Sequence, residues 1–158
     1  MRILHVLDHS APLHSGYAFR TLAILRESQG LGWETIQLTS PKQGGSTEVR
    51  EETVDGWLFH RTPPVRGLVT DLPGFGEVEL MGELAHRIET LVRRYHPHVL
   101  HVHSPVLNAL PALRVGPRTG LYGEIAVNTH LPGPVPGPVG SFGLSFGDAT
   151  ATRFFRIG

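Results

Sequence analysis

RILHVLDHSAPLHSGYAFRTLAIL, residues 2–25, is the stretch that decides the fold. A short apolar run from Arg2 to Leu7 ends at Asp8 and gives way to a polar loop. Ala18, Leu22 and Leu25 then fall at helical spacing. The run predicts a buried strand and the spacing predicts a helix. Ser15 is placed to cap that helix, and Gly16 to let the backbone turn tightly into it. Gly30 and Gly32 end it. Strand, loop and helix in this order make the unit from which parallel α/β sheets are built.

The same alternation continues outward. ETIQLT, residues 34–39, reads as a strand, and SPKQGGSTE, residues 40–48, as a loop. WLFHR, residues 57–61, is a further short strand stopped by Pro63 and Pro64. Residues 65–76 are irregular. Met81, Leu84, Ile88, Leu91 and Tyr95 recur at intervals of three and four, the pattern of an amphipathic helix, which Pro97 ends. VLHVH, residues 99–103, is a strand, and SPVLNALPAL, residues 104–113, opens the next helix. The order βαββαβα predicts an open, mostly parallel α/β sheet.

The last stretch differs. Residues 115–158 hold 9 of the 19 glycines and 5 of the 13 prolines, with only five charged residues. LPGPVPGPVGSFGLSFG, residues 131–147, is incompatible with a regular helix or a central strand. A disordered or loosely docked tail is expected, with one strand at Tyr122–Asn128.

Composition sets the outer limits. A chain of 158 residues suffices for one domain with a core, and 40% hydrophobic against 18% charged residues is a globular balance. Lys+Arg and Asp+Glu number 14 each, and no basic stripe occurs, which argues against a nucleic-acid partner. There is no cysteine, so disulfides and thiolate metal sites are excluded. No segment reaches membrane-spanning length, and the apolar run 3–7 is too short for a signal peptide. A cytoplasmic location is expected, with peripheral membrane contact left open.

Two places carry candidate chemistry. The loop from Asp8 to Gly16 lies beyond the carboxyl end of the first strand, where open α/β sheets bind ligands. Backbone N–H groups at a helix N-terminus suit a phosphate or a polar sugar there. Neither GxGxxG nor GxxxxGK[ST] is present, so a plain strand-to-helix connection stands equally beside that reading. The second place is HPHVLHVHS, residues 96–104. His101 and His103 share one face of a strand. Imidazoles suit zinc, copper or nickel, but no second cluster of ligands has matching spacing, so no metal is expected. His101 packed on a helix and His103 ending the strand is the ordinary alternative. His103 is the better functional candidate, because the strand end opens on the cleft. Ser104 follows as a helix cap and second anion contact. Glu51 and Glu52 read as solvated, and Arg87, Arg93 and Arg94 as the exposed face of the long helix.

Residues 1–42, VDGWLFHRTPP (residues 54–64) and HPHVLHVHSPVLNALPALRVG (residues 96–116) together resemble the N-terminal half of GT-B glycosyltransferases of glycosyltransferase family 4. The likeness is greatest to the branch associated with exosortase A and PEP-CTERM sorting systems. The resemblance implies a Rossmann-like, doubly wound, mostly parallel sheet that is incomplete at its C-terminal end. An acceptor-side domain would span residues 1–116, and an atypical Gly/Pro-rich tail residues 117–158. It implies retaining transfer of a sugar from a nucleotide-sugar to a glycan or lipid-linked acceptor, in exopolysaccharide synthesis at the inner face of the cytoplasmic membrane. No cofactor and no catalytic metal are implied. By position, His103 would be the catalytic residue facing the sugar, with His101 in support. Ser15, Gly16, Tyr17 and Ser104 would bind substrate. The family usually has Asp where this chain has His98. After Gly116 the family continues into a further strand and then a donor-binding domain, whereas this chain enters its tail. The expectation is therefore a truncated transferase, inactive unless a donor domain is supplied. A non-catalytic doubly wound module that binds a sugar or a protein partner is the alternative.

Overall fold

The computed structural model describes residues 1–43, 49–64, 75–103, 107–119, 122–128 and 141–146. Residues 122–128 and 141–146 are described by their backbone. The strands are β1 (Arg2–Leu7), β2 (Glu34–Thr39), β3 (Glu51–Val54), β4 (Trp57–Arg61), β5 (Val99–Val102), β6 (Tyr122–Asn128) and β7 (Ser141–Phe146). The helices are α1 (Gly16–Gly30), α2 (Phe75–Tyr95) and α3 (Ala109–Thr119). They form an α/β fold around one mixed, mostly parallel sheet. Five strands in the order β3-β4-β2-β1-β5 frame the site described below, and β6 and β7 extend the sheet. β1 pairs in parallel with β2 and β5, as does β2 with β4 and β5 with β6. The antiparallel strands β3 and β7 stand at the two edges.

β1 is central, so both of its faces are covered, and its side chains from Ile3 to Leu7 are all buried. Leu4 and Val6 point to one face, where Leu84, Ile88 and Leu91 of α2 and Ala112 and Val115 of α3 complete the main core. Leu7 points to the other face, toward Leu22 of α1 and Phe59 of β4. The chain thus crosses from β1 to β2 over one face and from β4 to β5 over the other. This arrangement is compatible with a Rossmann-like fold.

The local signals act as their chemistry requires. Ser15 Oγ accepts the Ala18 N–H at 3.1 Å and caps α1. At the other end Gly32 takes φ +73°, and its N–H donates to Gln29 O at 2.8 Å. The apolar stripe of α2 is buried from Leu84 to Val92, although the helix begins earlier, at Phe75. α3 begins only at Ala109, five residues after Ser104. Pro111 sits in its first turn, where a missing N–H costs no intrahelical bond.

Several expectations are corrected. Residues 51–54 are a strand, joined to β4 by Asp55 and Gly56, at φ 51° and 80°. An Asp-Gly pair with both φ positive is the two-residue hairpin turn whose twist matches its strands. Glu51 and Glu52 are consequently paired rather than merely solvated. Glu51 meets Arg94 at 2.7 Å, and Glu52 meets Arg61 at 2.7 Å. Arg87 is half-buried, not on the exposed face, and burial holds its guanidinium below its usual range. In the tail, β6 lies where a strand was expected. β7 is a second strand there, at an edge, where a glycine-containing segment pairs on one side only. The division at residue 116 falls inside α3.

Candidate functional site

The site lies at the carboxyl ends of β1 and β5. Their register sets His5 beside His101 on the face that α1 covers. His103 follows β5 directly, and its N–H donates to Val6 O at 3.0 Å, which holds it against β1. The His101 and His103 rings stack with centroids 4.1 Å apart, and the His5 ring lies 5.1 and 5.2 Å from them. His5 Nδ1 and His103 Nε2 are 2.9 Å apart, so one ring donates to the other. Burial, reinforced by His101, pushes the His5 imidazole down to about 3. Burial, with His101, His5 and Arg20, pushes His103 down to about 2. Both rings are therefore neutral at neutral pH, each with one N–H and one lone-pair nitrogen.

Beside them stands the head of α1. The Ser15 cap oxygen also lies 2.9 Å from His9 Nε2. The His9 ring packs on Tyr17 with centroids 4.7 Å apart. The Tyr17 hydroxyl accepts the Asp8 N–H at 3.1 Å. Burial pushes its phenol up to about 12, outweighing that hydrogen bond, so it stays protonated. Arg20, one turn along, places its guanidinium 5.4 Å from the Tyr17 ring and lowers the affinity of His103 for a proton. The helix head and the histidine group are thus electrostatically in touch.

Gly16 departs from its expected role. Its φ is not positive, and a Cβ placed on it would meet nothing within 4 Å. The turn into α1 does not need a glycine; what Gly16 leaves is open space before the helix N-terminus. Ser104 lies outside the described residues.

The loop itself is held rigidly. Asp8 joins four residues from distant parts of the chain. Its Oδ1 accepts from Asn108 Nδ2 at 3.0 Å, and its Oδ2 lies 3.7 Å from Lys42 Nζ. Its carbonyl accepts from Ser40 Oγ at 2.9 Å, while its N–H reaches Tyr17. Below the loop, Arg61 donates to Ser10 Oγ at 2.7 Å and to Ala11 O at 2.6 Å.

No protein-family model and no curated protein sequence matches the chain.

The structure thus brings His101 and His103 together, and Ser15, Gly16 and Tyr17 together. Sequence reasoning missed His5, Asp8, Arg20 and Arg61. A signal for His5 existed: LHV occurs at residues 4–6 and again at 100–102, and parallel pairing sets the two copies side by side. Among the described residues, no helix is long and apolar enough to cross a membrane.

Proposed function

We propose that this chain is the acceptor-side, Rossmann-like half of a retaining glycosyltransferase resembling glycosyltransferase family 4. One observation carries the reading. Neutral His103 follows β5, and the head of α1 with Ser15, Gly16 and the Arg20 cation follows β1, at the ends where these paired strands lead to opposite helix layers. Open α/β sheets bind ligands at such a switch point. A sugar is recognised there by hydrogen bonds to hydroxyls, which a neutral imidazole and backbone N–H groups supply without a charge penalty. Arg20 suits the phosphate of a lipid-linked acceptor or of a leaving nucleotide.

On this reading a second domain grips the donor nucleotide-sugar, and this chain positions the acceptor. His103 acts as the group facing the transferred sugar. Burial keeps it neutral, so its role is to orient a hydroxyl by hydrogen bonding rather than to supply charge. Exopolysaccharide synthesis at the inner face of the cytoplasmic membrane is the process proposed.

Amide chemical-shift mapping with oligosaccharides and lipid-phosphate mimics tests this. Saccharide should perturb residues 8–17 and His103. Gly16→Ala should abolish the perturbation without loss of stability, because its methyl fills only the space left for ligand. Supplying a family donor domain in trans should then give product with the wild-type chain and not with His103→Gln. Absence of saccharide binding, or binding indifferent to Gly16→Ala, overturns the proposal. Binding without transfer in that mixture identifies the non-catalytic module instead.

A further inference from the structure

His5, His101 and His103 form the one group of potential metal ligands among the described residues. The geometry points to a divalent cation of the zinc class held by these three imidazoles, with its fourth position open to water or a ligand oxygen. This stands independently of the transferase reading.

Each ring offers one nitrogen, and the three atoms lie within 4.8 Å of one another. On tetrahedral zinc, with bonds of about 2.0–2.1 Å, ligand nitrogens sit about 3.4 Å apart. His5 Nδ1 and His103 Nε2, now 2.9 Å apart, are already close to that spacing. The frame is rigid where it must be: His5 and His101 are register partners on paired strands, and a backbone hydrogen bond ties His103 to Val6.

The second observation is where His5 sits. It is 1% exposed, on a strand face with no other polar side chain of β1. Its neighbours on that face of β1 are Ile3 and Leu7, so apolar packing would be served better by another aliphatic residue. A histidine buried on an otherwise apolar strand face calls for an explanation, and an ion held by its Nδ1 is one.

The donor set decides the class of cation. Three imidazoles and no carboxylate suit zinc, nickel or copper, and not magnesium or calcium. Three histidines with one open position are a zinc arrangement that leaves room for water or substrate. His101 and His103 are only partly buried, so the fourth position faces the carboxyl edge of the sheet. Arg20, which acts on His103, favours an anionic oxygen as the fourth ligand.

The test uses the whole chain, stripped with chelator and titrated with Zn²⁺ by calorimetry and with Co²⁺ by visible absorption. The expected result is one equivalent per chain and the intense absorption of tetrahedral Co²⁺. His101→Gln and His103→Gln should each weaken Zn²⁺ binding more than about 100-fold, beyond the loss expected for an outer-shell partner. His86→Gln, exposed on α2, should leave it unchanged. The wild-type chain supplies a readout that does not depend on variants folding. Of its ten histidines, three should show shifted imidazole ¹⁵N resonances with Zn²⁺, namely His5, His101 and His103. Sub-stoichiometric binding, shifts at other histidines, or binding unaffected in both ligand variants would overturn the site.

Discussion

Replacing Arg61 by Met should destabilise the protein by about 3 kcal/mol and loosen the loop that forms one wall of the site. The Arg61 side chain is 6% exposed. It bonds Glu52 through Nε at 2.9 Å and Nη2 at 2.7 Å, Ser10 Oγ at 2.7 Å and Ala11 O at 2.6 Å. Its guanidinium also lies 4.8 Å from the Phe59 ring. Met keeps much of the stem's packing and removes every polar contact. A hydrogen bond to a charged group contributes about 1.5–3 kcal/mol, and the variant loses those to Ser10 Oγ and Ala11 O together. Breaking a fully buried ion pair would cost about 3–5 kcal/mol, which is an upper bound here. The Glu52 side chain is 40% exposed and regains water, and Ser10 Oγ keeps its 3.1 Å contact with Ala11 O. A net loss of about 3 kcal/mol lowers Tm by about 6–12 °C for a chain of this size.

Urea denaturation and amide exchange read the two consequences. The unfolding midpoint should fall by about 1–3 M, given slopes of about 1–3 kcal/mol/M. The Leu13 amide, which donates to Ser10 O at 3.1 Å, should exchange faster than amides in β1. Glu52→Gln, on the exposed side of the pair, should cost less than about 1 kcal/mol. If Arg61→Met stays within about 1 kcal/mol of wild type, or exchange quickens uniformly, Arg61 is not what fixes the loop.

Ser15→Ala should cost about 1 kcal/mol through loss of the α1 cap, visible as a lower thermal midpoint; an unchanged midpoint would mean the cap is idle. Stability should also fall on acidification. Burial holds the His60 pKa below 6.5, against the opposing pull of Glu51, so below pH 6.5 the unfolded chain takes up a proton that the folded chain refuses. Hydrogen bonding from Arg94 lowers the Glu51 pKa, and that contribution is present above the ordinary carboxylate range and disappears as pH falls through the folded value. Urea midpoints compared at about pH 7.5 and 5.5 should show His60→Phe flattening the slope by up to about 1.4 kcal/mol per pH unit; an unaltered slope would place the titration elsewhere.

What was legible in the sequence was what short-range patterns encode. The strand–loop–helix unit, the Ser15 cap, the Gly32 stop and the α2 stripe all follow from neighbours within a few residues. The β3–β4 hairpin was equally legible in VDGW, since Asp-Gly between extended segments is a local turn signal. The two glutamates read as solvated because the residues that pair with them are not near in sequence. Their partners, Arg61 and Arg94, lie 9 and 43 positions away.

The site was legible only in halves. The sequence by itself determined that His101 and His103 share a strand face and that Ser15 and Gly16 open a helix. Both are consequences of backbone periodicity, which needs no knowledge of partners. Only the tertiary structure decided that His5, 96 positions before His101, completes the imidazole group. Strand register, not chain spacing, sets which residues of parallel strands become neighbours. The same holds for Asp8 and Asn108, and for Arg61 beneath the loop. Buried polar groups must find partners wherever the fold brings them. Gly16 shows the converse: its sequence context suggested a tight turn that needs glycine, while its φ and the empty space around it show a position that a side chain could occupy.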